Sequence, residues 1–547
     1  MTKLLSHLKQ TPVIRRLLTL PFPTRAFLTL LAVGLALYGN SLANEFLLDD
    51  EEQIVNNRLT ESISYLGKIF SGASTGEGGS FNSYGVYFRP LMLALFALLR
   101  MSFGLDPLPF HLLQLGFHVG TATILALILR HFTTETIALL GAIVFLVHPM
   151  NVEAVSYIAA LQDPLCAFFA LLCFWLVLTA TTLTWRKLGM VFLLAIVALF
   201  GKETAILYFF AIVLATFVFR EAGKLRATIL VGLTLALSTT VYFGVRAGVA
   251  GLTTLAHDST QLARASLEVR LLTLPALLAS YLTKFFIPWR LATTQDWVVR
   301  SPSFEGFVLP LLFVGTISAL CLWYIFTRRH KAFLFFFIWT FAGLGFHSHL
   351  VAALDGTIAE RWFYMPCMGM IGMVAVVVFA NREWFARHRI AHVSISALIC
   401  AVLAGFSARS FLRSQDWRDG YSLFTTDIVH QEDSAHLQNN VGVELFRRGR
   451  VDEAKGYFER SIELNPTWKI SWNNLGAVFH RQKNLSRAEE CYRKSMNYGP
   501  YLLAYRGYAG VLLQQERLGE AKRFLETALK VFPADPELLS FEQFTKK

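Results

Sequence analysis

The chain has 547 residues, of which 54% are hydrophobic, 14% aromatic and only 16% charged, with a mean hydropathy of +0.47. Those values exclude an ordinary soluble globular domain and place most of the chain in a membrane. The net charge of +12 is no nucleic-acid footprint, because the basic residues punctuate short loops between apolar runs.

In chain order, Lys3, Lys9, Arg15, Arg16 and Arg25 make residues 1–25 a basic tail, expected in the cytoplasm, ahead of an apolar run from Ala26 to Ala43. That run is long enough to span, and neither the length of the tail nor the residues after it suit a cleaved signal peptide. It is read as a first transmembrane helix. A first outer loop over 45–109 follows. Its Asp49-Asp50-Glu51-Glu52 cannot sit in hydrocarbon and must emerge on the far side. A solvated acidic loop is the bland reading. The flanking Phe46, Leu47 and Ile54 favour carboxylates half-buried at the bilayer edge, where one can serve as a general base. A Gly/Ser-rich segment from Ser71 to Ser83, expected to be mobile, leads to Tyr87-Phe88-Arg89-Pro90-Leu91. The short run to Leu105 contains Arg100 and is expected along the interface.

Basic clusters at Arg130-His131, Arg186-Lys187, Arg220/Lys224/Arg226, Arg328-Arg329/Lys331 and Arg382/Arg387/Arg389 all belong in the cytoplasm by charge bias. That assignment gives spans at 110–130, 136–149, 164–183, 187–201, 204–220, 227–247, 305–327, 332–350, 361–380 and 392–411, about eleven with the first helix. Several are shorter than the ~20 residues that cross a ~30 Å core. The run 271–290 is read as an interfacial helix, and the odd count puts the C-terminal tail on the side of the acidic loop. The membrane domain thus covers 26–411.

The tail has its own rule. Gly442, Gly476 and Gly510 recur every 34 residues, as do Ala454 and Ala488, and Pro466 and Pro500; a third repeat shortened by one residue gives Ala521 and Pro533. A 34-residue helix-turn-helix period of this kind is the tetratricopeptide (TPR) signature, here three repeats over 436–547. Asn439-Asn440 recurs as Asn473-Asn474, and Asn440 and Asn474 are candidates to grip an acceptor peptide. Residues 412–435, with Trp417, Leu423 and Phe424, read as a connecting helix. The fold class is therefore all-α, a polytopic helix bundle followed by a TPR solenoid. Of six cysteines, only Cys491 lies outside an apolar run, so no disulfide framework is argued.

With an acidic outer loop and an outer TPR tail, the chain resembles the transmembrane and TPR-containing O-mannosyltransferase-like family of the GT-C glycosyltransferases. The residues that carry the resemblance are Asp49-Asp50-Glu51 with Ile54 and Asn57; Tyr87-Phe88-Arg89-Pro90-Leu91; His111 and His118; His148-Pro149 with Glu153-Ala154-Val155; Gln162-Asp163; Lys202-Glu203-Thr204; and Glu360-Arg361-Trp362-Phe363-Tyr364-Met365-Pro366. Each is short; their order makes the set specific. The family has a basic residue where Gln162 stands, which leaves the partner of Asp163 open. The resemblance implies transfer of a sugar, mannose by family expectation, from a polyprenyl-phosphate carrier to an acceptor hydroxyl outside the cytoplasm.

A lipid phosphate leaves without protonation, so one carboxylate base suffices for an inverting displacement, together with a cation for the developing phosphate charge. Asp49 or Asp50 is the base, with the family pattern leaning to Asp50, and the other Asp or Glu51 orients it. Arg361 is the first choice for the lipid phosphate, ahead of Arg89 and Lys202. Asp163, Glu153 and His148 are supporting candidates, Asp163 as a holder of the first-loop carboxylate. Against these stand structural readings: Lys202-Glu203 as a neutralising pair, Glu360-Arg361 as an interface anchor with Trp362 and Tyr364, and His148 and His118 as hydrogen-bonding residues. His347 and His349 have metal spacing but no evident third ligand, so a divalent metal stays unsupported. The expected partners are membrane lipid, the lipid-linked sugar and an acceptor protein or peptide on the TPR domain. A bacterial inner membrane is favoured by the short tail and compact loops, and an endoplasmic reticulum membrane satisfies the same topology. A non-catalytic TPR scaffold and a lipid or solute transporter are the alternatives.

Overall fold

A computed structural model describes residues 19–72, 88–221, 223–249, 260–262, 264–293, 295–350, 354, 356–533 and 535–545. Most of the basic tail and most of the Gly/Ser-rich segment, both singled out above, lie outside the described residues. Among the described residues there is no strand, only an isolated bridge between Gln295 and Ile358. The membrane half contains α1 (Phe22–Tyr38), α2 (Pro90–Phe103), α3 (Pro107–Phe132), α4 (Glu135–Leu146), α5 (Gln162–Thr179), α6 (Trp185–Gly201), α7 (Ala205–Phe219), α8 (Lys224–Val249), α9 (Leu267–Phe286), α10 (Leu309–Arg328), α11 (Lys331–Phe346), α12 (Tyr364–Ala380) and α13 (Arg389–Asp416). A short α14 (Gly420–Ile428) leads to the tail helices α15 (Ala435–Arg447), α16 (Val451–Leu464), α17 (Lys469–Arg481), α18 (Leu485–Asn497), α19 (Leu502–Gln514), α20 (Leu518–Val531) and α21 (Pro536–Thr545).

The helices begin where the sequence supplies caps. Asp106 accepts from Leu108 N ahead of Pro107, Thr134 from Ile137 N and Ser266 from Val269 N, satisfying donors that a helix start leaves open. The bundle is built around α3, α5 and α12. Their most apolar stretches are 61%, 61% and 67% buried, against 6% for α10 and α13, which places the latter two at the periphery. Glycines allow the close approaches. A Cβ on Gly369 of α12 would lie 3.0 Å from Phe336 O and 2.5 Å from Thr340 Oγ1 on α11.

Among the described residues eight helices are long and apolar enough to cross a membrane, or nine if Glu135–Leu146 and Pro149–Ser156, bent by 54°, form one span. The expected spans at 187–201, 204–220 and 332–350 are helices of 17, 15 and 16 residues, roughly 22–26 Å at a helix rise of ~1.5 Å per residue. The run expected at the interface near 271–290 is instead a 20-residue helix of spanning length and apolarity. Its Lys284 is buried and donates to Gln295 Oε1 at 2.7 Å, so the one Lys near its end points into the protein. In α2, Arg100 turns back onto the first loop, donating to Ile54 O (2.5 Å), Asn57 O (3.1 Å) and Thr60 Oγ1 (2.8 Å).

The join to the tail is a polar lock. Arg413 of α13 and Asp427 of α14 are both fully buried and paired at 2.6 and 3.2 Å. Asp427 also accepts from Thr293 N (2.7 Å) and Thr293 Oγ1 (2.9 Å). Trp417, Leu423 and Phe424 of the connecting segment are buried in the same core.

Candidate active site

The acidic loop closes one end of the bundle, and its backbone decides what each carboxylate does. Leu48 adopts a left-handed φ of +54°, which costs a branched residue on the order of 1–2 kcal/mol. Beyond this kink Asp50 turns inward and Asp49 outward. Asp50 is buried, with Oδ2 accepting from Leu47 N at 2.9 Å and Oδ1 from Ala159 N at 2.6 Å. Burial pushes its carboxyl well above the usual carboxylate range, against those two backbone bonds. Asp49 is exposed at the protein surface.

Asp49 is tied to Tyr157. Its backbone N–H donates to the Tyr157 hydroxyl at 3.1 Å, and its side chain is also a hydrogen-bond partner of that hydroxyl. Burial, then the charge of Asp49, pushes the phenol up, so Tyr157 keeps its proton. The ring is stacked on Trp417 at 5.4 Å, and Gln114 Nε2 donates to its carbonyl at 2.6 Å. The Arg361 guanidinium stands 5.9 Å from the centre of the same ring, within the range of a cation–π contact. Arg361 is held by Glu153. Its backbone N donates to Glu153 Oε2 at 3.0 Å and its guanidinium pairs with Oε1. Glu153 is fully buried, while a quarter of the Arg361 side chain remains exposed. One tyrosine thus separates the exposed carboxylate from a fixed cation. Beside the cation opens a small cleft, more apolar than polar, whose lining includes Asp163, Tyr208, Leu207, Arg361, Trp362 and Met365.

The other candidates fall in distinct places. Lys202 pairs with Asp163 at 2.6 Å. This supplies the partner left open by Gln162, and Asp163 holds Lys202 rather than a first-loop carboxylate. Arg89 meets Glu203 at 3.4 Å, and Arg246 of α8 is a further buried cation near Glu203. Glu51 faces neither Asp49 nor Asp50 but Arg447 of the tail, with both contacts at 2.8 Å. His148 donates from Nε2 to Phe285 O (3.0 Å) and accepts at Nδ1 from Met150 N (3.3 Å), so both ring nitrogens are used structurally. His118 bonds Tyr364 Oη and Leu146 O, and His111 bonds Asn44 O. His349 is likewise engaged at both nitrogens, with Thr357 O and Leu354 N, while His347 donates to Gly343 O and stacks on Trp362. Among the described residues no group of three or more His, Cys, Asp and Glu is arranged to hold a metal. In the tail, Asn474 Nδ2 donates to Asn439 Oδ1 across two repeats at 2.9 Å, and Asn473 Nδ2 donates to Asn474 Oδ1 at 3.0 Å. The ladder therefore runs through Asn439, with Asn440 half-buried beside it.

Tetratricopeptide repeat family models match residues 434–465 and 470–498. Over 88% of this chain, "Protein O-mannosyl-transferase TMTC3" of Homo sapiens is 23% identical and its Mus musculus counterpart 25%, with 56% and 55% of those proteins covered. The Drosophila melanogaster Tmtc3 protein is 30% identical over 26% of the chain and 15% of its own length. The chain is a relative of the transmembrane and TPR-containing O-mannosyltransferase-like family. It spans about half the length of the curated relatives it matches. A solved structure, the yeast Tom70, matches over 71% of this chain and 92% of its own at 13% identity and a TM-score of 0.22, too low to bear on the fold.

Within this family framework, the most informative residue that sequence reasoning missed is Tyr157. It sits four positions after Glu153 in an otherwise apolar stretch, where a tyrosine reads as core or interface. Glu360 was noted only as the neighbour of Arg361. It is fully buried and accepts from Ala292 N at 2.6 Å, bracing the segment that carries Arg361 against the loop before α10.

Proposed function

We propose that the chain is a membrane glycosyltransferase that moves mannose from a polyprenyl-phosphate donor to an acceptor hydroxyl, a protein serine or threonine, on the extracytoplasmic face. The observation that carries this reading is the single ring of Tyr157, bonded to Asp49 on one side and facing Arg361 on the other. An inverting transfer from a lipid phosphate needs a base and a cation at two ends of one sugar, and this pair fits that requirement.

Asp49 is the base. A base must be ionised and reach the acceptor, and Asp49 is exposed, whereas Asp50 is buried with both oxygens occupied and its proton favoured. Asp49 takes the proton of the acceptor hydroxyl as that oxygen attacks the anomeric carbon. The bond from that carbon to the phosphate oxygen breaks, its electron pair stays on the phosphate, and the configuration inverts. The Arg361 guanidinium, fixed by Glu153, meets the charge that develops there, without reorganising during the reaction. Asp49 then returns its proton to water. Asp50 holds the loop, Tyr157 orients Asp49, and the Lys202–Asp163 and Arg89–Glu203 pairs stay near neutrality behind the site. The donor is a substrate, and the chemistry requires no resident cofactor.

On this reading the protein sits in a bacterial inner membrane, with residues 45–109 and the TPR domain of 436–547, which meet at Glu51 and Arg447, both outside the cytoplasm and an acceptor peptide in the TPR groove. The names of the relatives and the TPR matches support a protein acceptor. The test uses protein reconstituted in liposomes with labelled polyprenyl-phosphate mannose and periplasmic protein. Label should move to protein in the parent and be lost in Arg361→Ala. Transfer by Arg361→Ala at the parental rate refutes the assignment of the cation.

A further inference from the structure

We propose that the first TPR repeat is a working part of the transfer site, with Arg447 acting through Glu51 as a positioning residue for Asp49. The proposal rests on the reading of Asp49 as base and extends it to the tail. Glu51 follows Asp50 directly and opens the tight turn Glu51–Val55. Both of its oxygens are taken by the Arg447 guanidinium, Nη1 on Oε1 and Nη2 on Oε2, each at 2.8 Å. This two-pronged geometry fixes orientation as well as distance. Glu444 is the second partner of Arg447, at 3.3 Å.

The pair is 53% and 34% exposed, so it adds little to fold stability. Its place is what matters. The loop is kinked at Leu48 and pinned on one side by the Asp50 bonds to Leu47 N and Ala159 N, and by the Asp49 bond to Tyr157. Arg447 supplies a further pin, from the tail, through Glu51. The same repeat is tied down at its far end, where Arg264, ahead of α9, donates to Asn465 Oδ1 (3.0 Å) and Thr467 Oγ1 (3.3 Å). One repeat therefore bridges two separate loops of the membrane half. On α15, Asn439, Val443 and Arg447 recur every four residues and share one helix face.

The experiment uses the full chain in liposomes with labelled polyprenyl-phosphate mannose and periplasmic protein, comparing Glu51→Arg, Arg447→Glu and the double exchange. Each single change is expected to lower turnover about tenfold or more, with the KM for donor and the melting temperature unchanged, and the double exchange should restore it to within about threefold. Amide hydrogen exchange over residues 47–56 is read in parallel. Arg447→Glu should accelerate it several-fold, and the double exchange should restore protection. Unchanged exchange in Arg447→Glu overturns the coupling whether or not sugar is transferred, as does parental turnover in both single variants. If the parent transfers no sugar while exchange responds as expected, the coupling stands and the transferase reading falls.

Discussion

Replacing Asp427 by Leu should be the most damaging single change outside the site. The perturbation removes one half of an ion pair in which neither side chain touches solvent. It leaves the Arg413 guanidinium with Asp416 at 3.3 Å and strips Thr293 of the acceptor for both its N–H and its hydroxyl. Breaking a buried pair by deleting one partner costs about 3–5 kcal/mol, because a buried charge is left uncompensated. That is a large share of the ~5–15 kcal/mol that holds a typical domain. Removing both charges, in Arg413→Met with Asp427→Leu, leaves neither ion stranded and should recover most of the loss. Thermal unfolding in detergent, run as a double-mutant cycle over both single variants and the double, reads the outcome. A cost below about 1 kcal/mol for Asp427→Leu, or a double variant worse than either single, would refute the reasoning that this lock joins the membrane half to the tail.

Three further expectations concern the site and the packing around it. Arg361→Lys keeps a charge but loses the guanidinium geometry held by Glu153, so turnover should fall by about 10²-fold with little change in folding, measured by transfer of labelled mannose. Asp50 binds its proton more tightly in the folded chain than at its ordinary value of 3.8, so its contribution to stability is full below that value and is lost as pH rises through the raised one. The melting temperature of the parent minus that of Asp50→Asn should therefore shrink as pH is raised from 4 to 8, and a difference that grows would contradict the assignment. Gly369→Ala puts a methyl group against the backbone of α11 and should cost about 1–3 kcal/mol, whereas Gly405→Ala points into open space and should be neutral or better by thermal unfolding.

The tail was legible because its repeat is enforced sterically. A Cβ on Gly442 would meet Phe458 at 2.7 Å, and one on Gly476 would meet Tyr492 at 2.8 Å, so the first two repeats need a small residue at the same place, whereas one on Gly510 would meet only His480 at 3.7 Å. The acidic loop was legible because carboxylates next to an apolar run have few places to go. The division of labour between Asp49 and Asp50 was not, since it follows from the kink at Leu48 and from the Ala159 amide, 109 positions away from Asp50. The Arg361–Glu153 pair, separated by 208 positions, is equally invisible to local pattern, and α9 was read as interfacial because the side of the downstream basic clusters was weighed above its own spanning length and apolarity. Arg447 looked like any surface arginine near the end of a repeat helix.

The most direct measurement is transfer from labelled polyprenyl-phosphate mannose to protein by liposomes carrying the parent, Asp49→Asn or Asp50→Asn, each first shown to be folded. The account predicts transfer by the parent, its loss by at least about 10³-fold in Asp49→Asn, as for removal of a catalytic base, and residual transfer well above that level in Asp50→Asn. Parental transfer by Asp49→Asn, or abolition confined to Asp50→Asn, would contradict it.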